Sequence, residues 1–234
     1  FEILDQAGIQ LLRAAQPEHT PSQTEYIPPR IWTHLALRLH DCLADYLAHQ
    51  NQIEECFAFC LDAYKSNRVI DEETGRRIRQ RSPFRKLKQR MTGENSSLLF
   101  LGPFEQTASR FGLRSMLERW VGNLCTTQGI KGFTAYLSLI QYVGLADVLC
   151  FTLMRFDEGM SLRKDSLIWH DDPVYGRIPL IQAETTKTDP DDNALWVTSP
   201  SIEPAITALR SVAAMRRSCL SGNVDTDNPY LITH

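Results

Sequence analysis

Arg155, Glu158 and Leu162 stand at i, i+3 and i+7, a spacing that on a helix would bring a guanidinium, a carboxylate and an apolar anchor to one face. A carboxylate that orients a guanidinium makes a phosphate clamp, because the planar fork binds two oxygens at once. The plainer alternative is an ordinary helix salt bridge, which is common and weak. Farther on, the apolar stretch 177–183 runs into Glu184-Thr185-Thr186-Lys187-Thr188, so a lysine follows directly on a predicted strand. A third feature is electrostatic. Arg76, Arg77, Arg79, Arg81, Arg85, Lys86, Lys88 and Arg90 put eight basic residues and no acid into one short strip of a chain whose formal net charge is -3. Like charges at that density repel unless solvent or a polyanion relieves them, so the strip points to phosphate-backbone contact as well as to a solvated helix face.

Taken in order, these pieces resemble the tyrosine recombinase (phage integrase) family. Its catalytic domain begins with a buried helix ending in Arg-x-x-Glu-x-x-x-Leu and continues into a β-hairpin bearing a Thr-Lys-Thr lysine. The matching residues are Arg155, Glu158, Leu162 and Lys187, and the similarity covers roughly residues 125–234. The resemblance implies site-specific recombination or integration of a mobile element. A tyrosine hydroxyl attacks a DNA phosphodiester, forming a 3′-phosphotyrosyl bond and releasing a 5′-hydroxyl. Arg155 would neutralise the non-bridging oxygens, Glu158 would support Arg155, and Lys187 would protonate the departing oxygen. The resemblance also implies double-stranded DNA as partner and self-assembly on DNA by the full-length protein. No cofactor and no metal are implied, because the bond energy stays in the protein–DNA ester. A bacterial, nucleoid-associated, cytoplasmic setting goes with it.

The same resemblance organises the rest of the chain. Residues 1–27 read as an N-terminal arm and linker, 28–124 as a helical core-binding domain holding the basic strip, and 125–234 as an incomplete catalytic domain. Relatives carry a Gly just before the Arg, where this chain has Thr152-Leu153-Met154. Their His-x-x-Arg helix and nucleophilic Tyr have no counterpart here and are expected beyond residue 234. The 234 residues alone are therefore expected not to cleave DNA. Tyr230 resembles the strand that precedes the missing helix and is read as structural. The alternative from another class is a non-catalytic helical DNA-binding or interaction module in which Arg155, Glu158 and Lys187 are only salt-bridge partners.

The elements that would position these groups follow from periodicity and punctuation. After three Pro-containing breaks between residues 16 and 29, Pro28-Pro29 sets up a helix start. Ile31, Leu35, Leu39, Cys42, Leu43, Tyr46 and Leu47 then recur at spacings of 3 and 4, predicting one long helix or a pair ending near Asn67. Asp71, Glu72 and Glu73 suit the first turn of a second helix over 69–81. Ser82-Pro83 interrupts it, a short basic helix resumes over 84–91, and 92–97 is loop by composition. Helical pieces fill 104–122, and a buried helix runs to about Met154. Short, partly β-branched runs at 167–170, 177–183 and 194–198 predict a small antiparallel sheet. Past Ser199-Pro200-Ser201, the residues Ile202, Ile206, Leu209, Ala213 and Met215 mark a last amphipathic helix. The fold class is mainly α with a small antiparallel β-sheet (α+β).

Composition removes several other classes. With 43% hydrophobic and 23% charged residues, the chain has material for a sizeable core and is neither disordered nor a disulfide-stapled miniprotein. Its six Cys show no CxxC or finger spacing, so a structural zinc site is not expected, and reduced thiols point to the cytoplasm. Cys56 and Cys60, four apart, read as core. His34, His40 and His49 read as satisfied or exposed helix histidines. Residues 133–154 hold sixteen hydrophobic residues in twenty-two, enough in length to span a bilayer. Asp147, with Thr134, Ser138, Gln141 and Thr152 as a narrow polar stripe, marks this run instead as a core helix, and no membrane partner is expected. No GxGxxG, P-loop, HExxH or nucleophile elbow is present to suggest a small-molecule enzyme.

Overall fold

A computed structural model describes residues 10, 26–70, 77–80, 82–85, 98–185, 191–219 and 228–232. The chain divides into two compact units, Phe1–His34 and Leu35–His234. In the first, the Pro28 carbonyl accepts from the Ile31 and Trp32 N–H groups and so opens helix α1, Pro29–Ala48. Proline belongs at such a start because its fixed φ is helical and its missing N–H had no intrahelical partner anyway.

In the second unit α1 runs on, and Cys42, Leu43 and Tyr46 are buried along one face. Helix α2, Gln50–Ser66, follows after one residue, so the long-helix alternative resolves into a pair. Both Cys56 and Cys60 are buried in it, as the core reading expects. The predicted helix over 69–81 is a correction. Arg68–Ile70 (β1) and Arg77–Gln80 (β2) pair antiparallel, with Arg68 opposite Gln80. The Val69-Ile70 pair disfavours a helical turn, and Gly75 would weaken a helix interior by about 1 kcal/mol. Those local preferences outweigh the three acids. The predicted basic helix at 84–91 fares differently at its two ends. Phe84 forms an isolated bridge with Gly102, whereas 86–91 lies outside the described residues. Asn67, buried at the end of α2, fastens this region by exchanging hydrogen bonds with both the N–H and the carbonyl of Leu99.

Three short helices follow: α3 (Phe104–Arg110), α4 (Arg114–Val121) and α5 (Leu124–Thr127). They pack on α6, Ile130–Thr152, whose buried residues Phe133, Tyr136, Leu137, Ile140, Val143, Leu145 and Val148 form the centre of the core. By length and composition α6 is apolar enough to cross a membrane, yet 56% of its most apolar stretch is buried among the other elements, as expected of a core helix.

Beyond α6 come a one-turn helix α7 (Phe156–Met160) and the strands β3 (Leu167–Asp172), β4 (Gly176–Thr185) and β5 (Asp191–Val197). The strands form an antiparallel sheet in the order β3-β4-β5, with Leu167 opposite Ile181 and Ile181 opposite Trp196. Along β4 the buried residues alternate at Pro179, Ile181 and Ala183, the signature of a sheet with one face on the core. A register shift follows Ala183. Ala183 pairs with Ala194 but Thr185 with Asp191, so β5 carries the extra residue. Pro200–Ile202 forms a 3-10 turn capped by the Ser199 hydroxyl, and leads into α8, Glu203–Ser218. Its small residues Ala205 and Ala208 let α8 lie close to α6. A Cβ at Gly144 would come within 2.9 Å of the Leu209 side chain. The molecule is thus mainly helical with a small antiparallel sheet, as the composition and periodicity indicated.

The first helix pair is joined to the last helix by a buried polar chain. The Tyr46 and Ser211 hydroxyls lie 2.6 Å apart, and Ser211 donates to the Glu54 carboxylate at 2.6 Å. Closed networks of this kind fix which helix faces meet, because every buried polar group then has a partner.

Candidate functional site: a shared carboxylate behind Arg155

Helix α6 ends at Thr152, and the three residues after it turn the chain sharply. Leu153 takes up the left-handed conformation (φ 56°, ψ 20°), alone among the described non-glycine residues, and the residue is 86% exposed. Glycine is the usual residue at this helix-ending position, because a Cβ there crowds the following carbonyl. Leu153→Gly is therefore expected to stabilise the fold by about 0.5–1 kcal/mol, read as a higher urea midpoint at unchanged slope.

Met154 is buried, and Arg155 follows in extended backbone as the N-cap of α7. Arg155 is thus not inside a helix as the i, i+3, i+7 reading supposed, and the i+3 relation works through the cap instead. Glu158 is the third residue of α7, and its buried carboxylate reaches back to the cap. Oε2 accepts the Arg155 backbone N–H at 2.7 Å. Oε1 faces the Arg155 guanidinium, with Nη1 at 3.4 Å, and accepts the Thr185 hydroxyl from the end of β4 at 3.2 Å. One carboxylate, whose side chain is 4% exposed, therefore ties together a main-chain cap, a guanidinium and a strand. The Arg155 side chain is 52% exposed, so an oriented cation is open to solvent.

Two features hold α7 in this position. A Cβ at Gly159 would come within 2.9 Å of the Leu145 and Leu149 side-chain methyls on α6, so glycine lets α7 lie against α6 without those leucines shifting. Leu162, the expected apolar anchor, is fully buried one residue past the helix-ending Ser161. Its carbonyl accepts the Leu231 N–H, the Lys164 N–H donates to the Pro229 carbonyl, and Arg163 bridges Tyr230 through the backbone. Beside this turn lies a polar cleft of about 160 Å³ lined by Arg163, Ser166, Gln182 and Asn193 among others. Arg155 does not line it.

Arg155 and Glu158 are thus in direct contact, while Lys187 lies outside the described residues, as do Arg76, Arg81, Lys86, Lys88 and Arg90. Arg77 and Arg79 belong to strand β2 and not to a helix face. Arg85 lies with its guanidinium carbon 5.4 Å from the Phe100 ring centroid. Thr185 was missed by sequence reasoning. A signal was available: Pro179, Ile181, Ala183 and Thr185 share one face by strand alternation, so the strand that enters the lysine segment must present Thr185 inward. Among the described residues no group of three His, Cys, Asp or Glu could hold a metal ion. The thiols of Cys42 and Cys125 are pushed up to about 11 by burial and are unsuited to nucleophilic work.

Comparison of the chain with protein-family models, with curated proteins and with solved structures gave no match in any of the three.

Proposed function

We propose that the chain binds double-stranded DNA and supplies part of the phosphodiester chemistry of a tyrosine recombinase, with the nucleophile beyond residue 234. The observation that carries this reading is the double use of Glu158, which orients the guanidinium of the half-exposed Arg155 side chain and fastens the end of β4 beside it. Two motifs far apart in sequence meet at one carboxylate, and Lys187 follows Thr185 by two residues in the chain. A guanidinium held from behind and open in front suits the charge that develops on a phosphorane. Lys187 as general acid, the basic strip 76–90 as a backbone contact, the division into 28–124 and 125–234, and assembly on DNA belong to the same proposal. No cofactor is required.

One observation favours the alternative, a non-catalytic helical DNA-binding or interaction module. Glu158 already has a sufficient structural task in accepting the Arg155 N–H and the Thr185 hydroxyl. Two measurements separate the readings. Anisotropy titrations of duplex DNA from 50 to 200 mM salt should give a log–log slope near -0.9 for each phosphate contacted, flattened by charge reversal within the basic strip. Nicked suicide duplexes carrying the element's ends, incubated with the full-length protein, should yield an SDS-resistant, protease-sensitive adduct. Salt-dependent binding without an adduct on any such end would leave the module; no binding of the duplex at 50 mM salt would remove DNA from both readings.

A further inference from the structure

Asp147 lies on the α6 face turned to α1, is 1% exposed, and neither of its carboxylate oxygens has a hydrogen bond among the described residues. Across the helix interface His40 brings Nε2 to 3.5 Å from Oδ1. The His40 side chain is 38% exposed, and its ring stands edge-on to Phe151 at 5.7 Å. A bare carboxylate in a core is costly unless it holds a proton or faces a cation. Either solution needs one proton on the pair, and His40 gives that proton a way in from solvent. If α1 lifts away, Asp147 is wetted and its ordinary acidity returns. The closed interface therefore holds the proton more tightly than the open one, and the proton acts as a ligand that closes it.

We propose that His40 and Asp147 form a proton-operated latch that fastens α1 to α6 in mildly acidic solution and loosens it as the pH rises. Among the described residues the neighbouring charged groups are engaged elsewhere. On α6 itself the near titratable group is the Cys150 thiol, raised by burial and then by Asp147. From α7, Glu158 is committed to Arg155 and Thr185; from α8, Arg210 donates to the Lys164 carbonyl and Arg216 to Ser138. From α1, Arg38 pairs with Asp41, and Asp45 takes Trp120 and Arg119. Burial raises the Asp147 carboxyl from 3.8 to about 6, opposed by His40. Because the folded value is raised, the latch is fully closed below about pH 4 and is lost as pH climbs through about 6. The latch rests on this pair of residues and is independent of the DNA reading.

Hydrogen exchange on the 234-residue chain at pH 4.5 and 7.5, corrected for intrinsic rates, tests it. The opening constant of α1 amides 35–48, taken relative to α8 amides, should be about tenfold or more larger at pH 7.5. Asp147→Asn should abolish that difference. His40→Phe, which keeps a ring against Phe151, should move the midpoint of the change to higher pH. A wild-type α1 whose opening is indifferent to pH, or changes only in step with α8, overturns the latch. So does a pH response that survives Asp147→Asn or, should that variant fail to fold, a midpoint unmoved by His40→Phe.

Discussion

On the proposed recombinase reading, replacing Arg155 with Ala in the full-length protein is expected to slow formation of the covalent DNA adduct about 100-fold or more, the usual effect of removing one donor to a developing oxyanion. Fold stability should change by less than about 0.5 kcal/mol. The two halves of this expectation have one structural origin. The Arg155 side chain is half exposed, and the guanidinium's contact with Glu158 is long at 3.4 Å, so little stability resides there. Meanwhile the Arg155 backbone N–H and the Thr185 hydroxyl still find the Glu158 carboxylate. A point charge cannot reproduce the planar fork, so Arg155→Lys should recover little of the lost rate. Suicide-substrate kinetics together with urea unfolding check both halves. An adduct rate within a few-fold of wild type would remove Arg155 from the chemistry. A large loss of stability would make it a structural residue.

Glu158→Ala should do the reverse, lowering stability by about 3 kcal/mol before any catalysis is considered. The carboxylate is 3% exposed as a residue and serves three donors. Truncation leaves the α7 N-terminus without its cap and a hydroxyl on β4 unpaired, and hydrogen bonds to a charged acceptor are the stronger kind. Glu158→Gln keeps an acceptor oxygen for the Arg155 N–H and should lose about 1 kcal/mol. Chemical denaturation of both variants measures the difference. Equal losses in the two would mean that the packing of the side chain, and not its bonding, is what matters.

Much of the architecture is legible because burial has a period. The apolar face of α1, the nearly all-round apolar α6, and the β-branched runs of the sheet each announce their element, and Ser199-Pro200 marks the entry to α8. The acids at 71–73 misled because helix-start chemistry is also turn chemistry, and the Val69-Ile70 pair beside them carried the strand information. Periodicity tells a residue which face it occupies but not who meets it there. Asp147 reads in sequence as a polar intruder in an apolar helix and His40 as one of several helix histidines. That they meet depends on how α1 lies against α6, which no local pattern encodes. Thr185 was hidden for a related reason: its partner is reached only when β4 closes onto α7.

The register shift at the end of β4 bears on how this molecule can vary in length. Because β5 takes the extra residue, the buried positions of β4 alternate without interruption through Pro179, Ile181 and Ala183 as the strand runs on to Thr185. Insertions or deletions in the connection after Thr185 can be absorbed on the β5 side, where the pairing is already irregular, without turning Thr185 from Glu158. A single residue removed between Ile181 and Thr185 has no such outlet. It would reverse the facing of every later residue of the strand, send Thr185 to the outer surface, and detach the sheet from the carboxylate behind Arg155. Drift in chain length is thus cheap on one side of this hairpin and forbidden on the other.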